Sequence, residues 1–549
     1  MVPAEDLSPD VIRYVLYQSM QWVYAPGFSE TFCSVLCGEE RSRVDAHCDP
    51  ALSYDAVLLN LDSDHEVALG QINNARNSLG EFGFYYLFYP SLECLDYALQ
   101  ATGLIPYAAW KFAGPGLIYQ DCDHLSAATG LVMVVPGDYS PIAHVRNLQA
   151  KNEKVAWAYE VLINSHEEKL PTLEMRGDLA VEKLYCLLQY DKNGDAPGRL
   201  NRLARALDEF YKCSTYTPYN PRAYITMGSF WEQLGRPDMA KRYVTSLNHI
   251  LQDTELSRLE ERFTTTVPSY ADATPPVWSG KPCRILYLLH TQSDYGSDTL
   301  YDGLCALLGD DAVVEYPWKP TLHGQDVEMA FGYPCVYERG GEAQSLEHIC
   351  AALSAGAFDL VLYSDTLQTQ DRAEMQTLIQ AAGDTPLFLL DMWDQCGNYF
   401  EEIQSFIGAK EVRAAFKREK LKGVDYGHNV IALPFAFNDS GKARVPWEAR
   451  NELFFWAGKF QAGTRRLYLE YLNKAYNLDV NRKLSPERYA ETIAHARMGL
   501  SLFGNGFDTV RYWELPAYGC CMFSESIPIE IPHNFRDGRE AVFFDDLKV

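Results

Sequence analysis

Apolar and polar positions change their period twice along the chain. Up to about residue 145, short apolar runs at Ala56–Leu61, Phe82–Phe88 and Gly130–Val135 predict buried strands, and a stretch at Val67–Ser78 has helical spacing. From about His144 to Leu259 the spacing becomes helical with short polar breaks, including Leu179–Tyr190 and Leu200–Cys213. A Pro- and Thr-bearing stretch, Thr264–Pro276, then reads as a linker. Beyond it, apolar runs at Arg284–His290, Val313–Tyr316, Leu360–Tyr363 and Leu387–Leu390 alternate with helices at Leu300–Leu308 and Asp371–Ala382. After Val430–Phe435 a second series begins, with a strand at Asn451–Gly458, helices at Arg465–Ala475 and Pro486–Arg497, and a strand at Met498–Phe503. Such alternation predicts doubly wound, largely parallel sheets.

The expected fold is therefore multidomain α/β. It comprises a small N-terminal α/β domain over 1–145, an α-helical region over 146–262, a linker at 263–280, and two Rossmann-like lobes at 281–440 and 441–549. Several cores are also what 549 residues require, because single cores stop growing at a few hundred.

Composition narrows the functions. A net charge of -26 argues against a nucleic-acid partner, since phosphate binding needs concentrated Lys and Arg. The first residues lack the basic and apolar regions of a signal peptide, and no apolar run approaches membrane-spanning length. A cytoplasmic location is the expectation. The 14 cysteines show no CxxC pair, and Cys33/Cys37 and Cys520/Cys521, the closest spacings, read as reduced thiols.

The chemistry is concentrated near the end of the chain. After the Met498–Phe503 strand comes Gly504-Asn505-Gly506-Phe-Asp508-Thr509-Val-Arg511-Tyr-Trp-Glu514, and Gly519 closes the helix. Glycines at a strand end let backbone approach a ligand. A helix starting near Asp508–Thr509 offers amides and a positive dipole end to a phosphate. Arg511 adds bidentate donors, and Glu514, on the same helix side, is placed for ribose hydroxyls. The same two residues also fit a plain surface ion pair. In the first lobe, strand ends place His290, Asp294, Gly296, Asp365 and Asp391–Asp394 at a cleft, where ligands of such sheets collect. An imidazole there suits a catalytic base, and the alternative is a histidine bonded to loop backbone.

Three resemblances follow from these residues. Ala223 to Ala240, with Gly228, Gly235 and Pro237, closely resembles a tetratricopeptide repeat, so an array of helical hairpins is expected, as a binding surface or a spacer. Tyr54–Asn60 with the helix and strand after it resembles the later part of a class I methyltransferase fold, although no glycine-rich turn is visible before Tyr54. The segment Gly506–Gly519, followed by Phe535–Asp546 and preceded by Phe416–Glu419 and Leu433–Phe435, resembles family 1 and family 4 GT-B glycosyltransferases, and among them proteins of the CgeB spore-maturation type.

That last resemblance spans about Arg284 to Val549. It implies a glycosyltransferase moving a sugar from a nucleotide diphosphate donor, most often UDP or GDP, to a protein, glycan or cell-surface polymer, without metal or other cofactor. The resemblance matches Glu514 to the family's ribose-binding glutamate and Lys459 and Arg465 to basic residues near the leaving diphosphate. Gly458, Asn505, Gly506, Asp508, Thr509 and Arg511 complete the expected donor site, and His290 and Asp294, by their place at a strand end, are the catalytic candidates. Related retaining enzymes carry an acid eight residues before the glutamate. Here Gly506 stands there, so retention and inversion both stay open. A non-catalytic helical-repeat binder and a bifunctional methyltransferase–glycosyltransferase are the competing readings.

Overall fold

The computed structural model describes residues 22–25, 43–45, 54–76, 79–113, 116–120, 130–136, 170, 172–189, 196–263, 283–291, 294–325, 336–364, 372–408, 410–427, 429–438, 442, 444–460 and 463–547. The chain divides into two compact units, Met1–Pro171 and Thr172–Val549. The expected linker at Thr264–Pro276, together with Asp365, Cys33 and Cys37, lies outside the described residues.

The first unit is built on a seven-stranded sheet in the order β2-β1-β3-β4-β7-β5-β6. Its strands are β1 (Trp22–Tyr24), β2 (Arg43–Asp45), β3 (Tyr54–Asn60), β4 (Leu79–Tyr89), β5 (Leu104–Ala113), β6 (Gly116–Gln120) and β7 (Gly130–Pro136). The neighbours β2, β1, β3 and β4 pair in parallel. From β4 onward each pairing, β4 with β7, β7 with β5 and β5 with β6, is antiparallel. Helices α1 (His65–Arg76) and α2 (Leu92–Thr102) bury Ala68, Ile72, Leu95 and Ala98 against Val57, Leu59, Tyr85 and Leu87. The continuous apolar run of β3 is explained by burial of both faces. Two short strands thus precede Tyr54, in a stretch whose sequence showed no strand signal.

The second unit begins with helices α3 (Leu173–Gln189), α4 (Ala196–Tyr216), α5 (Pro221–Gln233), α6 (Pro237–Leu251) and α7 (Thr254–Arg262). Asn220 caps α5 through a side-chain bond to Arg222 N, and Pro221 sits in the first turn, where its missing N–H costs nothing. Gly235 (φ +72°) breaks the chain between α5 and α6. At the crossing, a Cβ on Gly228 would lie 3.5 Å from Ala240 O, an ordinary van der Waals contact, so the helix packing there has room for a methyl.

The first lobe is a six-stranded parallel sheet in the order β13-β12-β11-β10-β8-β9. Its strands are β8 (Ile285–Leu288), β9 (Val313–Tyr316), β10 (Leu360–Ser364), β11 (Leu387–Asp391), β12 (Val412–Lys417) and β13 (Val430–Ala432). Helices α8 (Tyr295–Leu308), α9 (Leu346–Ser354), α10 (Arg372–Ala381) and α11 (Phe400–Ile407) connect them, and two apolar clusters fill the space between helices and sheet. The second lobe is a four-stranded parallel sheet, β14 (Glu452–Phe455), β15 (Ala496–Ser501), β16 (Cys521–Glu525) and β17 (Ala541–Phe544), with α12 (Arg465–Tyr476), α13 (Pro486–His495) and α14 (Val510–Ala517). The helix expected to start near Asp508 starts at Val510, with Thr509 as its N-cap residue.

The helical region packs on both lobes. Buried Arg236 donates to Lys422 O (3.2 Å) and Pro528 O (3.3 Å), one carbonyl from each lobe, and is itself held by Asp238. Trp231, fully buried, lies 5.9 Å from the Phe507 ring.

Candidate functional site

A cavity of about 590 Å³ opens where α4, the first lobe and the loop at Asn505 meet. Each wall has a distinct origin. Strand β8 runs into His290, and Asp294 caps α8 by accepting from Gly296 N at 3.1 Å. The Asp294 carboxylate also accepts from Ser297 Oγ and stands 3.5 Å from His290 Nε2. Burial alone would raise the Asp294 carboxyl, yet the bonds from His290 and Ser297 outweigh it, and the net shift is downward. Asp294 therefore stands as a carboxylate beside the buried His290.

The second wall is the loop after β11. Asp391 does not face the cavity as an acid; it accepts from Trp393 N (3.1 Å) and from the buried Lys417 Nζ (2.7 Å). Lys417 also donates to Gln395 O at 3.0 Å. These bonds curl the loop and carry Met392, Trp393, Asp394 and Gln395 to the cavity lining. Gly296, expected at the cleft, makes room for Met392, whose side chain would lie 2.7 Å from a Cβ there.

The third wall was not foreseen. Asp208, Tyr211 and Lys212 of α4, spaced i, i+3, i+4 on one helix face, line the same cavity. Asp208 accepts from Gln395 Nε2 at 2.7 Å, and Tyr399 OH donates to Gln395 Oε1 at 2.7 Å. Burial and the neighbouring Glu209 push the Asp208 carboxyl up to about 6. Nothing local in the sequence marks these residues, because Gln395 lies 187 positions further on.

The expected donor-binding residues separate into three groups. Asn505 is exposed and joins His290 and Asp294 at the cavity. Gly506 and Asp508 lie in the seam between the lobes. Glu419, fully buried, accepts from Phe507 N and Asp508 N, each at 3.0 Å, so these amides are taken by protein rather than left for phosphate. A Cβ on Gly506 would meet Arg418 Nη2 at 2.7 Å, and the glycine thus admits the Arg418–Glu419 pair rather than a ligand. Asp508 accepts from Phe435 N (2.5 Å) and Trp513 Nε1 (2.8 Å), which makes it a lobe-to-lobe brace. Burial raises its carboxyl to about 7.

The third group surrounds Trp456. The guanidinium of Arg511 lies 4.6 Å and that of Arg465 5.5 Å from the Trp456 ring centroid. Arg465 donates to Lys459 O (3.2 Å) and Leu502 O (3.1 Å), and Arg511 donates to Ala457 O. Burial and the charge of Arg511 lower Arg465 to about 10. Among the described residues, Arg465 Nε, Arg511 Nε and Trp456 Nε1 are buried without a hydrogen-bond partner. Gly458 and Lys459 are exposed beside them, and a Cβ on Gly458 would meet Arg511 Nη2 at 2.9 Å. Thr509 Oγ1 lies 3.2 Å from Ser501 Oγ, and Glu514 accepts from Tyr489 OH at 2.5 Å. Burial raises the Glu514 carboxyl against the opposing effect of Tyr489 and Arg511. The surface ion pair that the Arg511 and Glu514 spacing also fitted is not formed: Glu514 is buried and bonded to Tyr489.

Among the described residues, no group of three or more His, Cys, Asp or Glu is arranged to hold a metal ion, and no helix is long and apolar enough to cross a membrane. Described cysteines, including Cys520 and Cys521, are free.

Residues 448–548 match the family model described as glycosyl transferase-like, and this glycosyltransferase-like stretch holds all four strands of the second lobe. No curated protein matches the chain. Two solved structures are similar at low level. One is an S-adenosylmethionine-dependent O-methyltransferase from Thermotoga maritima, at 12% identity and TM-score 0.16, with 24% of this chain and 65% of that chain covered. The chain thus spans less than two thirds of that protein. The other is a mutant O-GlcNAc transferase from Thermobaculum terrenum, at 9% identity and TM-score 0.20, with 70% and 73% covered. TM-scores this low establish no shared fold.

Proposed function

We propose that the Thr172–Val549 unit is a glycosyltransferase that moves a sugar from a nucleoside diphosphate donor to an acceptor hydroxyl. The observation that carries this reading is the group around Trp456, inside the glycosyltransferase-like stretch. Two like charges set close together beside three orphaned donors are costly alone, and an anion with several acceptor oxygens relieves both costs. A diphosphate at the ends of β14 and β15 is such an anion, in the place where parallel sheets bind ligands. The amides of Val510 and Arg511, which a helix cannot satisfy internally, point the same way. Glu514, with one oxygen held by Tyr489, offers the other to ribose hydroxyls.

In the reaction the acceptor oxygen bonds to the anomeric carbon as that carbon's bond to the diphosphate oxygen breaks. The electron pair leaves with the diphosphate, stabilised by Arg465 and Arg511. His290, oriented by Asp294, takes the acceptor proton. UDP and GDP sugars are the donors to test first. A thermal-shift screen of the full chain against UDP, GDP and their sugars checks this reading, because ligand binding to the native state raises its melting temperature. Flat curves across the panel would refute it.

A second reading concerns the first unit. Its parallel strands followed by an antiparallel insertion fit the methyltransferase resemblance, and S-adenosylmethionine belongs in the same screen.

A further inference from the structure

Resting on that glycosyl-transfer reading, we propose that the α4 wall of the cavity is the acceptor subsite, and that it takes the hydroxyl-bearing end of a glycan, recognised by Asp208 and Tyr211. The lining residues that fit a nucleotide are elsewhere: neither Arg465, Arg511, Lys459 nor Glu514 borders this cavity, whereas His290 and Asp294 do. The space beside the proton acceptor is therefore acceptor space.

Its chemistry selects a class. Asp208 spends one oxygen, Oδ2, on Gln395 and keeps Oδ1 without a partner among the described residues, and a carboxylate is an acceptor only. The chain of Tyr399, Gln395 and Asp208 fixes that free oxygen in place. Tyr211 packs beside Gly463, where a Cβ would meet its ring at 2.6 Å, so the ring cannot swing away in that direction. Aromatic bodies at Tyr211 and Trp393 beside fixed carboxylates suit a sugar ring, which has apolar faces and a rim of hydroxyl donors.

A peptide acceptor is favoured less. Peptide recognition uses a free sheet edge, an apolar helix groove, a polyproline-binding aromatic groove or a basic cluster. The described walls are instead a helix face and curled loops bearing Asp208, Asp294 and Asp394, and the Lys and Arg side chains of the lining are both engaged, Arg418 with Asp394 and Lys212 with Glu209 at 2.9 Å. With those cations paired, the wall favours neutral polyols over anionic ligands.

The test is binding of the labelled full chain to a glycan array and to a peptide array, run beside the nucleotide thermal-shift screen, for wild type, Asp208→Asn and Asp208→Glu. The expected result is binding to one glycan class, at least about tenfold weaker in Asp208→Asn, with the nucleotide-induced shift unchanged in both variants. Glycan binding equal in wild type and Asp208→Asn overturns the inference. So does labelling of peptides with no glycan bound, or the absence of any glycan signal while nucleotides still bind. Asp208-dependent glycan binding with no response to any nucleotide keeps the subsite and sinks the donor reading instead. If Asp208→Asn does not fold, Tyr211→Leu, which removes the ring, is scored on the same arrays by the same criteria.

Discussion

The carboxylate of Glu419 in the first lobe accepts the amides of Phe507 and Asp508 in the second, while Asp508 returns the exchange by accepting Phe435 N from the first. The lobes are thus joined by reciprocal carboxylate–amide bonds, closed over a buried Arg418 that stacks 4.1 Å from the Phe435 ring. Removing Glu419 leaves that guanidinium to Asp394 alone and the amides of Phe507 and Asp508 without their acceptor. Glu419→Ala is expected to destabilise the second unit by roughly 3–5 kcal/mol, the usual cost of breaking a buried ion pair from one side. Gly506→Ala, which drives a methyl into the same pair, should cost about 1–3 kcal/mol. Denaturant unfolding of the full chain measures both, and wild-type midpoints for either variant would refute the seam as drawn.

Donor binding is predicted to depend on Arg511 more than on Lys459. Arg511 stands beside Arg465 over Trp456, whereas Lys459 is exposed on its loop. Arg511→Met should weaken nucleoside diphosphate binding by roughly 1.5–3 kcal/mol, about tenfold or more, as expected for a lost bond to a charged group. Lys459→Ala should lose under about 1 kcal/mol. Isothermal titration with UDP and GDP decides the ranking.

Glu514→Gln is expected to raise the Kd for a nucleoside diphosphate roughly tenfold while the Kd for inorganic pyrophosphate stays put, because the carboxylate is assigned to ribose and not to phosphate. Equal losses for both ligands would move Glu514 out of that role.

His290→Ala should lower the transfer rate by roughly 10²–10⁴-fold with nucleotide affinity unchanged, the range for loss of a general base. Asp294→Asn should cost less in rate; its amide oxygen can still accept Gly296 N at the cap of α8, but one of the two carboxylate acceptors is lost, so its stability must be measured alongside.

Stability should fall as pH rises through the neutral range. Burial holds Asp508 and Glu525 up to about 7, above the value an unfolded carboxyl has. Between about pH 4 and 7 the folded state therefore binds more protons than the unfolded one, and the slope of stability against pH is negative, by at most about 1.4 kcal/mol per pH unit for each group. Asp294, shifted downward, acts in the opposite direction only at lower pH. Melting temperatures measured from pH 5 to 8 should decline, and Asp508→Asn should flatten the decline. A rising curve over that window would contradict the burial of these carboxyls.

Along the chain itself, the periodicity of apolar residues determined most elements to within a few positions. The strands at Val313–Tyr316 and Leu387–Asp391 and the helix at Arg465–Tyr476 are fixed by local burial patterns that any neighbour of the right shape would satisfy. The segment Gly504–Glu514 was legible as a ligand-facing turn because its glycines, Arg511 and Glu514 sit at fixed short spacings. Strands of three residues at Trp22–Tyr24 and Arg43–Asp45 were not legible, since so short a run carries no period.

Tertiary structure alone decided how those residues are used. Gly506 and Asp508 read as ligand contacts in sequence, yet Arg418, Glu419 and Phe435, from more than seventy residues away, occupy their surroundings. Arg465 gained its meaning from Arg511 and Trp456, and Asp208 from Gln395 across 187 residues. A local pattern records which face of an element is buried. It carries no record of the partner that buries it, and whether a carboxylate braces a seam or waits for a substrate depends on that partner.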